Sequence, residues 1–157
     1  MPQTNRSSVL WNRRRFVIVA GAAASLSLFA PPASGETEDV DAAIREFFGD
    51  RKVQEGRVSL KLPPIAENGN SVQLSVSVDS PMTGKDHVRQ IAIFSPRNPI
   101  PLIGRFKLGP HSGRAAVSTR VRLAGTQSLL AVAEMSDGSL WTGRGSTYVT
   151  LAACIIG

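Results

Sequence analysis

Between residues 56 and 153 the sequence alternates apolar and polar residues in one short segment after another. The stretch SVQLSVSVD (71–79) puts Val72, Leu74, Val76 and Val78 on one face and polar residues on the other. That is the two-residue period of a half-buried strand. GRVSLKLP (56–63), VRQIAIFSP (88–96), LIGRFKLG (102–109), AAVSTRVRLAG (115–125) and STYVTLAA (146–153) read the same way. SLLAVAEM (128–135) is nearly all apolar and is expected to be a central strand. The joints ENGN (67–70), SPMTGKD (80–86), RNPIP (97–101), GPHSG (109–113) and SDG (136–138) are rich in turn-forming residues. About seven short strands at this spacing predict an all-β fold, an immunoglobulin-like antiparallel β-sandwich over residues 56–151. No internal repeat and no low-complexity segment interrupts it.

Ahead of the strands, TEDVDAAIREFFGD (37–50) is the one good helix candidate. Thr37 is placed to cap it, acids fill its first turn where they suit the helix dipole, and Gly49 is placed to end it. Val40, Ala43, Ile44, Phe47 and Phe48 make one apolar stripe. This helical segment (36–55) is acidic, whereas the strands are basic. It is expected to lie across the sheets or to contact a partner.

The first 35 residues read as a cleaved leader. A basic stretch, NRRRFV (12–17), is followed by a short apolar run (17–30) and by PPASG, small residues of the kind a signal peptidase accepts. The run is marginal as a membrane span. Arg13 and Arg14, followed by Phe16 and Val17, fit the twin-arginine export pattern, with cleavage expected near Ala33 or Gly35. The expected location is the periplasm, free of the membrane after cleavage. The charge argument changes accordingly. The whole chain carries a formal charge of +6, but four arginines and no acid lie in the leader. From residue 36 onward, 14 basic residues face 12 acidic ones, a net of +2. Little then supports a nucleic-acid partner.

Few residues suggest catalysis. His87 and His111 fall at a strand start and in a turn, and with Cys154 they form only a weak metal-ligand set. The acids after residue 56 are Glu67, Asp79, Asp86, Glu134 and Asp137, most of them in expected turns. Trp141 reads as a core or sheet-edge residue. No nucleophile elbow, phosphate-binding loop or paired cysteine motif is present. No cofactor and no enzymatic site are expected.

One feature is chemically distinctive. The sequence holds a single cysteine in 157 residues, Cys154, followed only by Ile155, Ile156 and Gly157. An odd cysteine in an exported protein suggests intermolecular pairing or a reactive thiol. The nearby Gly157 carboxylate disfavours the thiolate, and no cation follows Arg144 in the sequence. What such a position offers is reach into a pocket on another protein. Extending the last strand through the cysteine puts Val149, Leu151, Ala153 and Ile155 on one face, expected to be the core face. Tyr148, Thr150, Ala152 and Cys154 then point outward. An inert thiol that merely ends the strand is the alternative.

From about residue 55 to 157 the sequence resembles the SoxY family of sulfur-oxidation proteins. The matching stretches are PPIAENGNSVQLSVSVDSPMT, DHVRQIAIFSPRNPIP, STRVRLAGTQSLLAVAEMSDGSLW and the closing VTLAAC. The resemblance implies an immunoglobulin-like fold, a heterodimer with a SoxZ subunit, and covalent carriage of thiosulfate-derived sulfur on Cys154. It also implies encounters with a c-type cytochrome that joins thiosulfate to the cysteine, a hydrolase that releases sulfate, and a molybdenum enzyme that oxidises the remaining sulfur. The tail (152–157) departs from the family pattern. Where the family has Gly-Gly-Cys-Gly-Gly, this chain has Ala152, Ala153, Cys154, Ile155 and Ile156, then Gly157. Alanine and β-branched isoleucine make that tail stiffer and thicker. Three roles follow as expectations: a sulfur carrier, a non-carrier module that binds a SoxZ-like partner, and a redox-sensing thiol that dimerises through a Cys154 disulfide.

Overall fold

The computed structural model of the protein describes residues 35–154. Helix α1 (Gly35–Phe48) precedes the strands β1 (Val53–Glu55), β2 (Val58–Lys61), β3 (Ile65–Asn68), β4 (Val72–Val78), β5 (Val88–Phe94), β6 (Leu102–Lys107), β7 (Ala116–Val121), β8 (Gln127–Met135) and β9 (Leu140–Leu151). The export signal with Arg13 and Arg14 lies outside the described residues, as do Ile155, Ile156 and Gly157.

The strands form the two layers of a β-sandwich, as the alternation predicts. One sheet runs β1-β9-β8-β5-β6, with β3 also paired to β9; the other runs β2-β4-β7. Most pairs are antiparallel. The short strands β1 and β3 instead run parallel to β9, with Val53 opposite Leu140 and Ile65 opposite Tyr148. Neither short strand, nor the first half of β9, is legible from alternation. Residues 53–55, grouped by sequence with the helical segment, belong to the sheet.

Between the layers, Leu74 and Val76 of β4 meet Ile91 and Ile93 of β5 and Leu129, Ala131 and Ala133 of β8. Each fully buried large side chain contributes about 1.5–3 kcal/mol. A second core lies on the outer face of the large sheet. There Val40, Ile44 and Phe48 of α1 cover Ala92, Phe94, Leu130, Val132 and Leu140. β5 and β8 are therefore buried on both faces, which explains why residues 128–135 show no polar alternation. The helix begins at Gly35, so Thr37 lies inside its first turn and is not the cap. The cluster of acids around Thr37 favours helix on both sides of it, because negative charge suits the N-terminal turn. At the other end Gly49 adopts φ +76°, and its N–H donates to the Arg45 carbonyl at 2.7 Å, which closes the helix as expected.

After β1 the chain changes sheets. Gly56 (φ 108°) and Arg57 (φ 56°) turn it, and β2 then crosses β9 on its way to β4. The crossing is close. A Cβ at Gly143 would collide with the Val58 carbonyl, and one at Gly145 would lie 2.8 Å from the Leu60 oxygen. Two glycines are thus required inside a strand, where glycine otherwise weakens pairing.

Candidate functional site

β9 carries the chain across the large sheet and delivers Cys154 to one end of the sandwich. Strand hydrogen bonding stops at Leu151, but the anchoring does not. The Gly69 N–H donates to the Leu151 carbonyl at 2.7 Å, the Leu123 N–H donates to the Gly69 carbonyl at 2.8 Å, and the Ala153 N–H donates to the Leu123 carbonyl at 3.0 Å. Ala153 is buried, and Cys154, the next residue, is exposed with a free thiol.

The support beneath this anchor is itself tied down. The Asn98 side chain donates to the Arg122 carbonyl and accepts from the Ala124 N–H, at 2.9 and 3.0 Å, so the residues either side of Leu123 are held from the opposite edge. Buried Gln127 accepts from the Ser95 hydroxyl at 2.7 Å and from the Arg97 N–H at 3.1 Å. The Val149 N–H donates to the Thr126 hydroxyl at 2.9 Å. Satisfied buried polar groups of this kind fix a loop in one arrangement.

The predicted alternation along the tail holds in part. Val149 and Ala153 are buried, and Tyr148, Thr150, Ala152 and Cys154 are exposed. Leu151 departs from it: expected to face the core, it is 65 % exposed. It lies opposite Asn68 at the last rung of the β3–β9 ladder, where the apolar interior has ended. With Ile65 and Tyr148, Leu151 makes up three of the four large apolar side chains that stand exposed among the described residues.

The charged groups fall elsewhere. The His87 Nδ1–H donates to the Thr83 carbonyl at 3.1 Å, and exposed His111 sits in the short 3-10 turn Pro110–Ser112. Among the described residues no three His, Cys, Asp or Glu side chains gather, so the histidines and Cys154 are not brought together. Asp137 accepts from the Ser139 N–H and hydroxyl, which hold its carboxyl below the ordinary value. Glu134 falls in the expected central strand. It lies buried in β8, accepting from Arg51 at 2.8 Å and from Gln90. Burial by itself would raise the Glu134 pKa. The bonds from Arg51 and Gln90, with the charges of Arg51 and Arg89, outweigh burial and lower it. Trp141 is half-buried against the core, its Nε1–H on the Ser139 hydroxyl at 3.1 Å and Arg57 over its ring, a packing role.

The residue that sequence reasoning missed is Gly69. It reads as an ordinary turn glycine in ENGN, yet it joins the end of β9 to Leu123.

An immunoglobulin-like sandwich that presents one free thiol just past a fixed strand end is a thiol-presenting module. Residues 44–154 match the family model described as sulfur oxidation protein SoxY, and the chain belongs to the SoxY family. Among solved structures it is similar to the sulfur carrier protein SoxY from Chlorobium limicola f thiosulfatophilum. That match has 33 % identity and a TM-score of 0.62, and covers 73 % of this chain and 99 % of that one. Superoxide reductase (neelaredoxin) from Ignicoccus hospitalis is similar at 20 % identity and a TM-score of 0.53, over 60 % of this chain and 80 % of that one. Superoxide reductase from Nanoarchaeum equitans follows at 12 % and 0.51, over 60 % and 99 %. The two reductases share the fold alone. No curated protein matches the sequence.

Proposed function

We propose that the chain is a periplasmic sulfur carrier, exported by the twin-arginine route, that holds thiosulfate-derived sulfur on Cys154 while other enzymes act on it. It is itself no enzyme, and it works as a heterodimer with a SoxZ-like subunit. The observation that carries this reading is the placement of Cys154. It is the sole cysteine, free and exposed, one residue beyond the backbone anchor at Ala153. Membership of the SoxY family supports the sulfur chemistry.

Loading joins the Cys154 thiolate sulfur to the outer sulfur of thiosulfate. One S–S bond forms, and two electrons leave to the cytochrome enzyme. Hydrolysis then breaks the bond between sulfur and the sulfonate group. Water supplies the oxygen of the released sulfate, and a persulfide stays on Cys154. The chain contributes an accessible nucleophile, while the enzymes contribute activation, because the thiolate and not the thiol is the attacking species.

One observation favours a second reading, a SoxZ-binding module without carrier turnover. Ala152 and Ala153 stand where the family has glycines, and Ala153 is buried and bonded, so the approach to the thiol is more constrained. Incubation with thiosulfate and the family's cytochrome enzyme separates the two. A covalent adduct on the wild type and none on Cys154→Ser supports the carrier. No adduct on either, with a stable SoxZ complex by size exclusion, supports the module.

A further inference from the structure

Gly69 is buried in the turn between β3 and β4, far in sequence from the thiol. Its carbonyl accepts from Leu123 and its N–H donates to Leu151, while Leu123 in turn accepts from Ala153. Three separate segments meet there backbone to backbone. A Cβ on residue 69 would lie 2.5 Å from the Leu123 oxygen, 2.8 Å from the Ala153 nitrogen and 3.1 Å from the Leu151 oxygen. Real side chains do not approach backbone this closely, so only glycine lets the three segments close.

We infer that Gly69 is a positioning residue for Cys154: it clamps the chain through Ala153, so the thiol is presented from a fixed point on the sandwich. Consecutive Cα atoms are about 3.8 Å apart, so the Cys154 Cα stands that far from the anchored Ala153. An enzyme acting on Cys154 must therefore come to the sandwich end itself. It must meet exposed Leu151 and the Asn68–Asn70 turn, which the Asn70 N–H and Asn68 side chain hold at 2.8 Å. This consequence rests on the carrier reading; the clamp does not.

The sole cysteine allows a direct test, because a nitroxide label on the full chain attaches only at Cys154. The wild type should give a motionally restricted spectrum, and its Ala153 amide should exchange about tenfold or more slowly than an unprotected amide. Gly69→Ala should sharpen the spectrum and remove that protection. Because Gly69→Ala could also prevent folding, Ala153→Pro provides an independent variant. It deletes the donor to Leu123 beyond the last strand, at a residue outside the apolar cluster between the sheets, and should sharpen the spectrum equally. A wild-type label as mobile as one on an unstructured peptide, or a label unchanged by Ala153→Pro, overturns the clamp. Neither readout involves sulfur. A restricted label on a chain that never takes up thiosulfate would remove the carrier reading and leave the clamp in place.

Discussion

Replacing Arg51 by methionine removes several contacts at once. Its Nε–H donates to the Phe48 carbonyl at 2.8 Å at the end of α1, and one terminal nitrogen reaches Glu134 at 2.8 Å and the Gly138 carbonyl at 3.2 Å. Arg51 thus fastens the helix to the β8–β9 hairpin. Breaking a fully buried ion pair from one side costs about 3–5 kcal/mol, and an exposed pair is worth about 0–1 kcal/mol. Here the carboxylate is buried, but the guanidinium is 41 % exposed and Gln90 still serves the carboxylate. We expect a loss of about 2 kcal/mol for Arg51→Met at neutral pH, methionine keeping most of the packing. The sign of the pH dependence follows from the lowered Glu134 pKa. A carboxyl with a depressed folded-state pKa stabilises fully above its unfolded value, and that contribution is lost as pH falls through the folded-state value. Urea unfolding of wild type and variant, from about pH 7 down to about pH 2, should show the gap between them closing in acid. In Arg51→Met/Glu134→Gln the two changes should cost less than their sum, because no unpaired buried charge remains. A variant within about 0.5 kcal/mol of wild type at pH 7, or a gap that persists in acid, would refute the reasoning.

Other substitutions test the fold and the tail. Gly143→Val should destabilise by about 3 kcal/mol or more, because its side chain meets the Val58 backbone, whereas Gly84→Ala, which meets open space, should stay within about 0.5 kcal/mol; thermal unfolding of both checks this. Thr147→Val should stabilise by about 1 kcal/mol in urea, because the buried Thr147 hydroxyl has no hydrogen-bond partner among the described residues and valine replaces it at nearly equal volume. Glycines at Ala152, Ala153, Ile155 and Ile156 should raise the rate of thiosulfate conjugation on Cys154. Equal rates would show that stiffness does not limit loading.

How much was legible in the sequence depended on how local the signal was. β4 announces itself because Val72, Leu74, Val76 and Val78 all face one core, and all four are buried. β8 is legible for the opposite reason, since a helix covers its second face. β1 and β3 are three and four residues long and run parallel to β9, too short for a period to show. WTGRGS shows no strand alternation, glycine being rare in strands, but Gly143 and Gly145 are needed where β2 crosses. The end of the chain followed the alternation only as far as the core extends, which is why Leu151 is exposed. The site divides the same way. Cys154 stands out by composition alone. Gly69 and Leu123 through backbone bonds, and Asn98 through its side chain, hold its approach by joining distant segments, and leave no pattern in any one of them.

The central claim is that Cys154 carries sulfur. Intact-mass analysis of the chain isolated from cells oxidising thiosulfate, with and without reductant and beside Cys154→Ser, tests it most directly. The account predicts a wild-type chain bearing the mass of added sulfur or of a thiosulfate group, released by reductant and absent from the serine variant. A wild-type chain found only as the bare thiol or as a Cys154-linked disulfide dimer would contradict it.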